Sequence, residues 1–254
     1  MSISIIIITK NAGATIRRCL ESVAWADEVI VVDSGSGDDT QDICRELGAK
    51  VSVTTDWPGF GPQKNRALDL AAGEWVFSID ADEWVTPELR DEIRAVIGHA
   101  DAVPAYAVPR RSSFCGRWMK HSGWWPDYVI RLFRRDAARF SDDQAHERLV
   151  VNGAIRKLKQ PLLHEAITDL DQMLGKMNLY STASARSLHA RGRRASVWSA
   201  LLHGGWAFFR TYVLRAGFLD GREGFILAVA NAEGSYYRYL KLMLLGKNRV
   251  DGKS

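Results

Sequence analysis

The sequence predicts an α/β protein with a mostly parallel central sheet, continued by a helical C-terminal extension. Three observations predict it. Continuous β-branched runs near the N-terminus have the composition of strands buried on both faces. Helix-period segments separate these runs, and a polar or acidic cluster closes each one, which places a ligand site at the carboxyl ends of the strands. From Thr168 onward the apolar period becomes helical and stays so.

Ile3 to Ile8 is the first strand, ending in the turn cluster Thr9-Lys10-Asn11-Ala12-Gly13. Thr15 to Val23 reads as a helix with Ile16, Cys19, Leu20 and Val23 on one face. Glu28 to Val32 is the second strand, stopped by Asp33-Ser34-Gly35-Ser36-Gly37-Asp38-Asp39, and a helix from Thr40 to Leu47 leads to a short strand, Lys50 to Thr54. Gln63 to Ala72 is predicted helical, with Gly73 as its C-cap. Trp75 to Ile79 is the fourth strand, ending in Asp80-Ala81-Asp82-Glu83. After the helix Glu88 to Ile97 come strand-like pieces at Ala105 to Arg110, Tyr128 to Phe133, Arg148 to Val151 and Ile155 to Leu158. Thr168 with Asp171 resembles a capping box opening a helix to about His189; Ser196 to Arg215 and Gly224 to Leu245 are two more helices. The expected division is a catalytic domain over residues 1–165 and a basic, aromatic helical region over 166–254.

Composition excludes several classes. The chain has 254 residues, 46% hydrophobic and 25% charged, which is globular composition with ample material for a core. Cys19, Cys44 and Cys115 are too few and too scattered for a disulfide framework or a structural zinc site, so a reducing cytosol is expected. No signal peptide and no apolar run long enough to span a membrane is visible. The net charge of +4 hides an asymmetry: residues 1–150 hold 18 Lys and Arg against 23 Asp and Glu, whereas residues 151–254 hold 16 against 7. A nucleic-acid binder would be basic more evenly, and nucleic acid is not an expected partner.

The chemistry concentrates at the strand ends. Side chains at i and i+2 of an extended chain share a face, so Asp80 and Asp82 together suit a Mg²⁺ or Mn²⁺ ion completed by water and phosphate oxygens; a solvated turn would use the same residues. Asp33 ends the second strand between glycines that allow close approach of a ligand, and its carboxylate suits a base N–H or a ribose hydroxyl; an Asx turn is the alternative. Lys64 is expected at the start of a helix, where a cation opposes the helix dipole, which favours a ligand-directed role.

The segments Ile5 to Asn11, Val29 to Thr40, Gly61 to Ala67 and Trp75 to Glu83 resemble the successive motifs of family 2 glycosyltransferases, inverting enzymes of the GT-A fold that use nucleotide-sugar donors. The resemblance covers roughly residues 1–90 and departs from the family at Ser34, where a second aspartate is usual. It implies a uridine pocket at Thr9, Asn11 and Asp33, Lys64 near the diphosphate, and a metal at Asp82 with Asp80 on the ribose or the metal. The segments Gly123 to Arg135, Ala145 to Leu149, Pro161 to Glu165 and Phe218 to Phe225 resemble the bacterial lipopolysaccharide and lipooligosaccharide inner-core β-1,4-glucosyltransferases, which implies UDP-glucose as donor and an inner-core heptose as acceptor.

Inversion needs a carboxylate within reach of the attacking hydroxyl. Glu147, after a polar segment that reads as a loop, is the first candidate, and Asp127 the second. His164 is a candidate third metal ligand, as a histidine is in some enzymes of that fold, with a backbone-bonded core histidine as the alternative. Trp124 and Trp125 suit stacking on an acceptor sugar and would equally suit a core. The aromatic C-terminal helices, flanked by arginines from Arg186 to Arg222, have the character of interfacial helices on an anionic surface. A lipid-linked saccharide acceptor and a peripheral location on the inner face of the cytoplasmic membrane follow from that reading. Two other classes stay open: a sugar-nucleotide nucleotidyltransferase, and a non-catalytic, membrane-docked sugar-nucleotide binder.

Overall fold

The computed structural model describes residues 1–142 and 147–247. Its elements in chain order are β1 (Ile3–Thr9), α1 (Gly13–Val23), β2 (Glu28–Asp33), α2 (Thr40–Glu46), β3 (Lys50–Val53), α3 (Phe60–Asp69), β4 (Trp75–Ser78), β5 (Glu83–Val85), α4 (Pro87–Gly98), β6 (Ala105–Phe114), β7 (Arg117–Trp118), β8 (Asp127–Arg134), β9 (Ala138–Phe140), β10 (Leu149–Val151), β11 (Ile155–Lys157), β12 (Leu162–Ile167), α5 (Leu170–Ala190), α6 (Val197–Phe209) and α7 (Gly221–Lys247). The chain divides into two compact units, residues 1–111 with 127–164, and residues 112–126 with 165–254.

In the first unit the strands run in the order β3-β2-β1-β4-β8-β6-β12-β5. The half read most directly from the sequence, β3-β2-β1-β4, is parallel. Beyond it β8 runs antiparallel to β4 and β6, and β12 antiparallel to β5. The β-branched runs are continuous because both faces of the parallel half are covered. Ile5, Ile7, Val31, Trp75 and Phe77 pack under α1, α2 and α4, while Ile6, Ile30, Val32, Val76 and Phe133 pack against α3 and β9. Each such side chain contributes about 1.5–3 kcal/mol by leaving water. Parallel register puts Thr9 beside Asp33, so the carboxyl ends of β1 and β2 open on one edge.

Local differences from expectation have physical reasons. Helix α3 starts at Phe60, before Pro62, and ends at Asp69. Gly73 is therefore not its C-cap; a Cβ there would lie 2.6 Å from Ser4 Oγ and 2.8 Å from Ser4 N, so close passage against β1 requires glycine. Helix α5 is capped by Asp169, whose carboxylate accepts the Gln172 N–H at 2.8 Å, one residue beyond the expected Thr168.

In the second unit α5, α6 and α7 surround a core of Phe114, Met119, Met173 and Leu227. Buried Asp220 accepts the N–H groups of Lys120 and His121, each at 3.0 Å, and the Ser122 hydroxyl at 2.9 Å, which ties the 117–123 loop to this helical unit. The expected helix from Ser196 to Arg215 is capped by Ser196 and Ser199 and passes at Arg210–Leu214 into a π-helical turn. Among the described residues no helix is long and apolar enough to cross a membrane.

Candidate active site

The first strand-end loop is stitched to the second. Asn11 sits at φ 51°, its amide N–H donates to Ser36 Oγ at 2.8 Å, and its side-chain oxygen accepts the Gly37 N–H at 2.9 Å. Asp33 is fully buried and accepts from Thr9 Oγ1 at 2.9 Å, Ser36 N at 2.8 Å, Gly35 N at 3.1 Å, Ser36 Oγ at 2.5 Å and Gln41 Nε2 at 2.8 Å. Burial would raise its carboxyl, but these donors, led by Ser36, outweigh burial and hold it below its ordinary value. Asp33 thus organises the loop of which the sequence made it a ligand-facing candidate. Beside Thr9 and Lys10 lies a pocket of about 400 Å³ walled by Trp57 and Phe60, whose rings meet edge to face at 4.9 Å. Neither aromatic was among the sequence candidates, although both are about half exposed.

A second group centres on the end of β4. Because α3 begins at Phe60, Lys64 lies in the second turn of the helix and not at its start, so opposition to the helix dipole does not explain it. Its position is explained by its partners: the buried ammonium lies 3.1 Å from Glu147 Oε1 and 3.3 Å from Asp80 Oδ1. Asp80 Oδ2 takes Arg131 Nη2 at 2.5 Å, and the same nitrogen donates to Glu83 Oε1 at 2.6 Å. Arg110 reaches Glu83 at 3.5 Å and grips Asp127 through two nitrogens at 2.7 and 3.1 Å. The result is one alternating chain of charge, Glu147–Lys64–Asp80–Arg131–Glu83–Arg110–Asp127. Burial pushes the Asp80 carboxyl up, but the Arg131 and Lys64 charges prevail and hold it far below the carboxylate range. Burial raises Glu83, which has no solvent exposure.

Asp80 and Asp82 lie on a turn and not on an extended strand, so the i, i+2 rule does not set their directions. The chain turns after β4, with the Glu83 N–H donating to Asp80 O at 3.0 Å, so the alternation of an extended strand is lost. Asp82 instead faces His164, Oδ2 to Nε2 at 3.5 Å, across the antiparallel pairing of β5 and β12. Among the described residues no three His, Cys, Asp or Glu side chains converge to hold a metal ion; Asp80 contacts Lys64 and Arg131, and Asp82 contacts His164. Residues 143–146 of the predicted loop before Glu147 lie outside the described residues. Trp124 and Trp125 belong to the second unit, where Trp124 packs edge to face on Phe114 at 5.9 Å.

Arg131, Arg110 and Glu83 were not anticipated as members of this network. The signal was present: one arginine inside the otherwise apolar run Tyr128-Val129-Ile130-Arg131-Leu132-Phe133 has to meet a carboxylate if the strand is buried.

A parallel sheet with acidic and basic groups at its strand ends, extended by antiparallel strands, is the GT-A architecture of nucleotide-sugar transferases. The profile of "Glycosyl transferase family 2" matches residues 4–158, and the chain belongs to that family. An uncharacterized glycosyltransferase of Rickettsia felis is 34% identical, the alignment covering 98% of this chain and 93% of the relative. The lipopolysaccharide core biosynthesis glycosyltransferase LpsC of Rhizobium meliloti is 29% identical over 94% of this chain and 90% of its own length. Among solved structures, residues 1–349 of TarS from S. aureus, crystallised with UDP, superpose with a TM-score of 0.51 at 17% identity, covering 98% of this chain and 92% of that one. The chain is a glycosyltransferase, which removes the nucleotidyltransferase and non-catalytic readings.

Proposed function

We propose that this enzyme transfers a hexose, glucose foremost, with inversion from a UDP-sugar to a lipid-linked saccharide such as the lipopolysaccharide inner core. The observation that carries the reading is the Lys64 bridge, which holds a partly exposed carboxylate, Glu147, on the same ammonium as Asp80. Similarity to LpsC over nearly the whole chain supports the acceptor class.

In this reading the uracil ring enters the pocket of Thr9, Trp57 and Phe60, with Asn11 and Asp33 holding the shape of its rim. The donor diphosphate competes for the Lys64 ammonium and so releases Glu147. Glu147 accepts the proton of the acceptor hydroxyl as its oxygen bonds to the anomeric carbon, while the bond from that carbon to the diphosphate breaks on the opposite face. Asp127, whose Oδ2 already takes two nitrogens of Arg110, is the second candidate. Asp82, in the turn just ahead of β5, and His164, on β12, present a carboxylate and an imidazole that fit a divalent cation, Mg²⁺ or Mn²⁺, whose remaining sites water and diphosphate oxygens would fill. Bound there, it would neutralise charge on the departing diphosphate.

The second unit supports a peripheral membrane location. Trp198, Leu202, Trp206 and Phe209 form an exposed stripe along α6, opposite Ala200, Gly204 and Ala207, which are buried. Such a stripe with arginines nearby suits an anionic lipid surface. The test is thermal protection by UDP-glucose, UDP-galactose and UDP-N-acetylglucosamine, with and without Mg²⁺ or Mn²⁺, followed by transfer assays of Glu147→Gln. Metal-dependent protection by a UDP-hexose, with transfer lost in Glu147→Gln, is the expected result. No protection by any UDP-sugar would overturn the donor assignment.

A further inference from the structure

The helical unit contains a cavity of about 580 Å³ between α5, α6, α7 and the loop bearing Trp124, a size typical of small-molecule sites. Its walls are of two kinds. One side is apolar, with Phe114, Trp124, Met173, Met177 and Leu227. The other carries Lys176, Arg210, Arg215 and Arg238, and among the described residues no Asp or Glu lines the cavity. Like charges brought together without a carboxylate repel one another unless an anion joins them.

Arg210 and Arg215 sit on irregular backbone. Arg210 opens the π-helical turn at the end of α6, a local widening that is common at functional sites. Arg215 precedes Ala216, an alanine in the left-handed region at φ 51°, a conformation that costs about 1–3 kcal/mol. Arg215 also lies over Gly123, where a Cβ would come within 2.4 Å of its guanidinium. Arg238 donates only a long 3.3 Å hydrogen bond to Ser235, and its buried Nε has no hydrogen-bond partner among the described residues. Neither Arg210 nor Arg215 has a carboxylate within ion-pair distance among those residues.

We infer that this cavity binds a lipid-borne phosphate, with the phosphate on Arg210, Arg215 and Arg238 and the acyl chain against Met173, Met177 and Leu227. Arginine forks match phosphate oxygens in pairs, and the apolar wall has no use for a free inorganic anion. The cavity shares no lining residue with the proposed donor pocket and does not rest on the donor assignment. It gives the second unit a specific lipid contact beyond surface attraction.

The experiment is calorimetric titration of the full chain with dihexanoyl phosphatidic acid below its micelle concentration. Parallel titrations use dihexanoyl phosphatidylcholine, inorganic phosphate and glucose 1-phosphate. The expected result is that phosphatidic acid binds at least about tenfold more tightly than the other three, and that the double variant Arg210→Gln, Arg215→Gln loses at least about tenfold. Ser184→Trp, which fills the cavity without removing a charged side chain, should weaken phosphatidic acid to a similar extent. Circular dichroism of both variants confirms that the helices are intact. Equal binding of inorganic phosphate or glucose 1-phosphate would overturn the lipid assignment; equal binding of phosphatidylcholine would overturn the phosphate. Unchanged affinity in well-folded variants would overturn the site. UDP-sugar protection measured on the same variants separates a failure here from a failure of the donor pocket.

Discussion

The Lys64 ammonium lies 3.1 Å from Glu147 Oε1, so a residue of α3 and a residue just ahead of β10 meet beside the turn that carries Asp80. Asp80 retains Arg131 when Lys64 is removed, and Glu147 is partly exposed and can be hydrated. Lys64→Met should therefore fold with little change in Tm while losing about 10²–10³-fold in kcat/KM, the usual cost of removing one donor to a developing anion. Steady-state kinetics beside thermal melts will read this, and an unchanged kcat/KM would remove Lys64 from the diphosphate.

Glu147 and Asp127 are separated by their partners. Arg110 binds Asp127 through two nitrogens on the same oxygen, whereas Glu147 has the Lys64 contact on Oε1, which the diphosphate can relieve. Glu147→Gln should lower kcat by about 10²–10⁴-fold with donor affinity retained, and Asp127→Asn should cost about tenfold or less. The opposite order in single-turnover transfer would make Asp127 the base.

The pairing of Asp82 with His164 makes a metal prediction that Asp80 does not share. His164→Ala and Asp82→Asn should each raise the Mn²⁺ concentration needed for half-maximal transfer by about 10- to 100-fold or more. Excess metal should restore part of the His164→Ala activity, since Asp82 and the diphosphate remain. A Mn²⁺ titration that superposes on that of the parent enzyme would place the ion elsewhere.

Arg131 carries the inner part of the charge chain. It is buried, as is Glu83, and Asp80 Oδ2 shares its Nη2. Arg131→Met leaves buried Glu83 with only the longer Arg110 contact at 3.5 Å, and half-buried Asp80 with only Lys64 at 3.3 Å, and should cost about 3–5 kcal/mol in urea unfolding. Asp80 is held low in the native state, so the stability it contributes is full above the ordinary carboxylate range, starts to drain as pH falls through that range, and is gone only in strong acid. Burial-raised Glu83 has the opposite sign, favouring the fold as pH falls through the carboxylate range. A loss under about 1 kcal/mol in Arg131→Met would show that the pair is hydrated.

The parallel half of the sheet was legible because its signal is local. A β-branched run such as Ile3 to Ile8 closed by Thr9-Lys10-Asn11 states its own period and its own end. The ends of α3 were less so: its start at Phe60 and the passage of Gly73 against Ser4 depend on residues far apart in the chain. In the site, sequence placed Lys64, Asp80, Asp82, Glu147 and His164 among the candidates but not their pairing. The Asp80 turn defeated the i, i+2 rule, and the partners of Asp80 and Asp82 come from β8 and β12. Arg131 and Arg110 lie 51 and 27 residues from the carboxylates they meet at Asp80 and Glu83, a distance over which spacing carries no information.

Glu28 offers a test of the frame that carries the site, away from the chemistry. It lies at the start of β2, where its carboxylate accepts from Ser4 Oγ at 2.5 Å, Ala72 N at 2.6 Å, Lys50 Nζ at 2.7 Å and Gly73 N at 3.3 Å. It thereby ties β1, β2, β3 and the chain leading into β4 together. Burial would raise its carboxyl, but Lys50, Ser4 and Ala72 lower it from 4.5 to about 2. The unfolded chain therefore takes up this proton first as pH falls, and the stability Glu28 contributes is full above about pH 5 and drains away between the two values. Glu28→Gln should cost about 1–3 kcal/mol at pH 7 by urea unfolding, and its gap from the parent protein should narrow at pH 3. A gap of the same size at both pH values would mean that shape, and not charge, holds the strands at this corner.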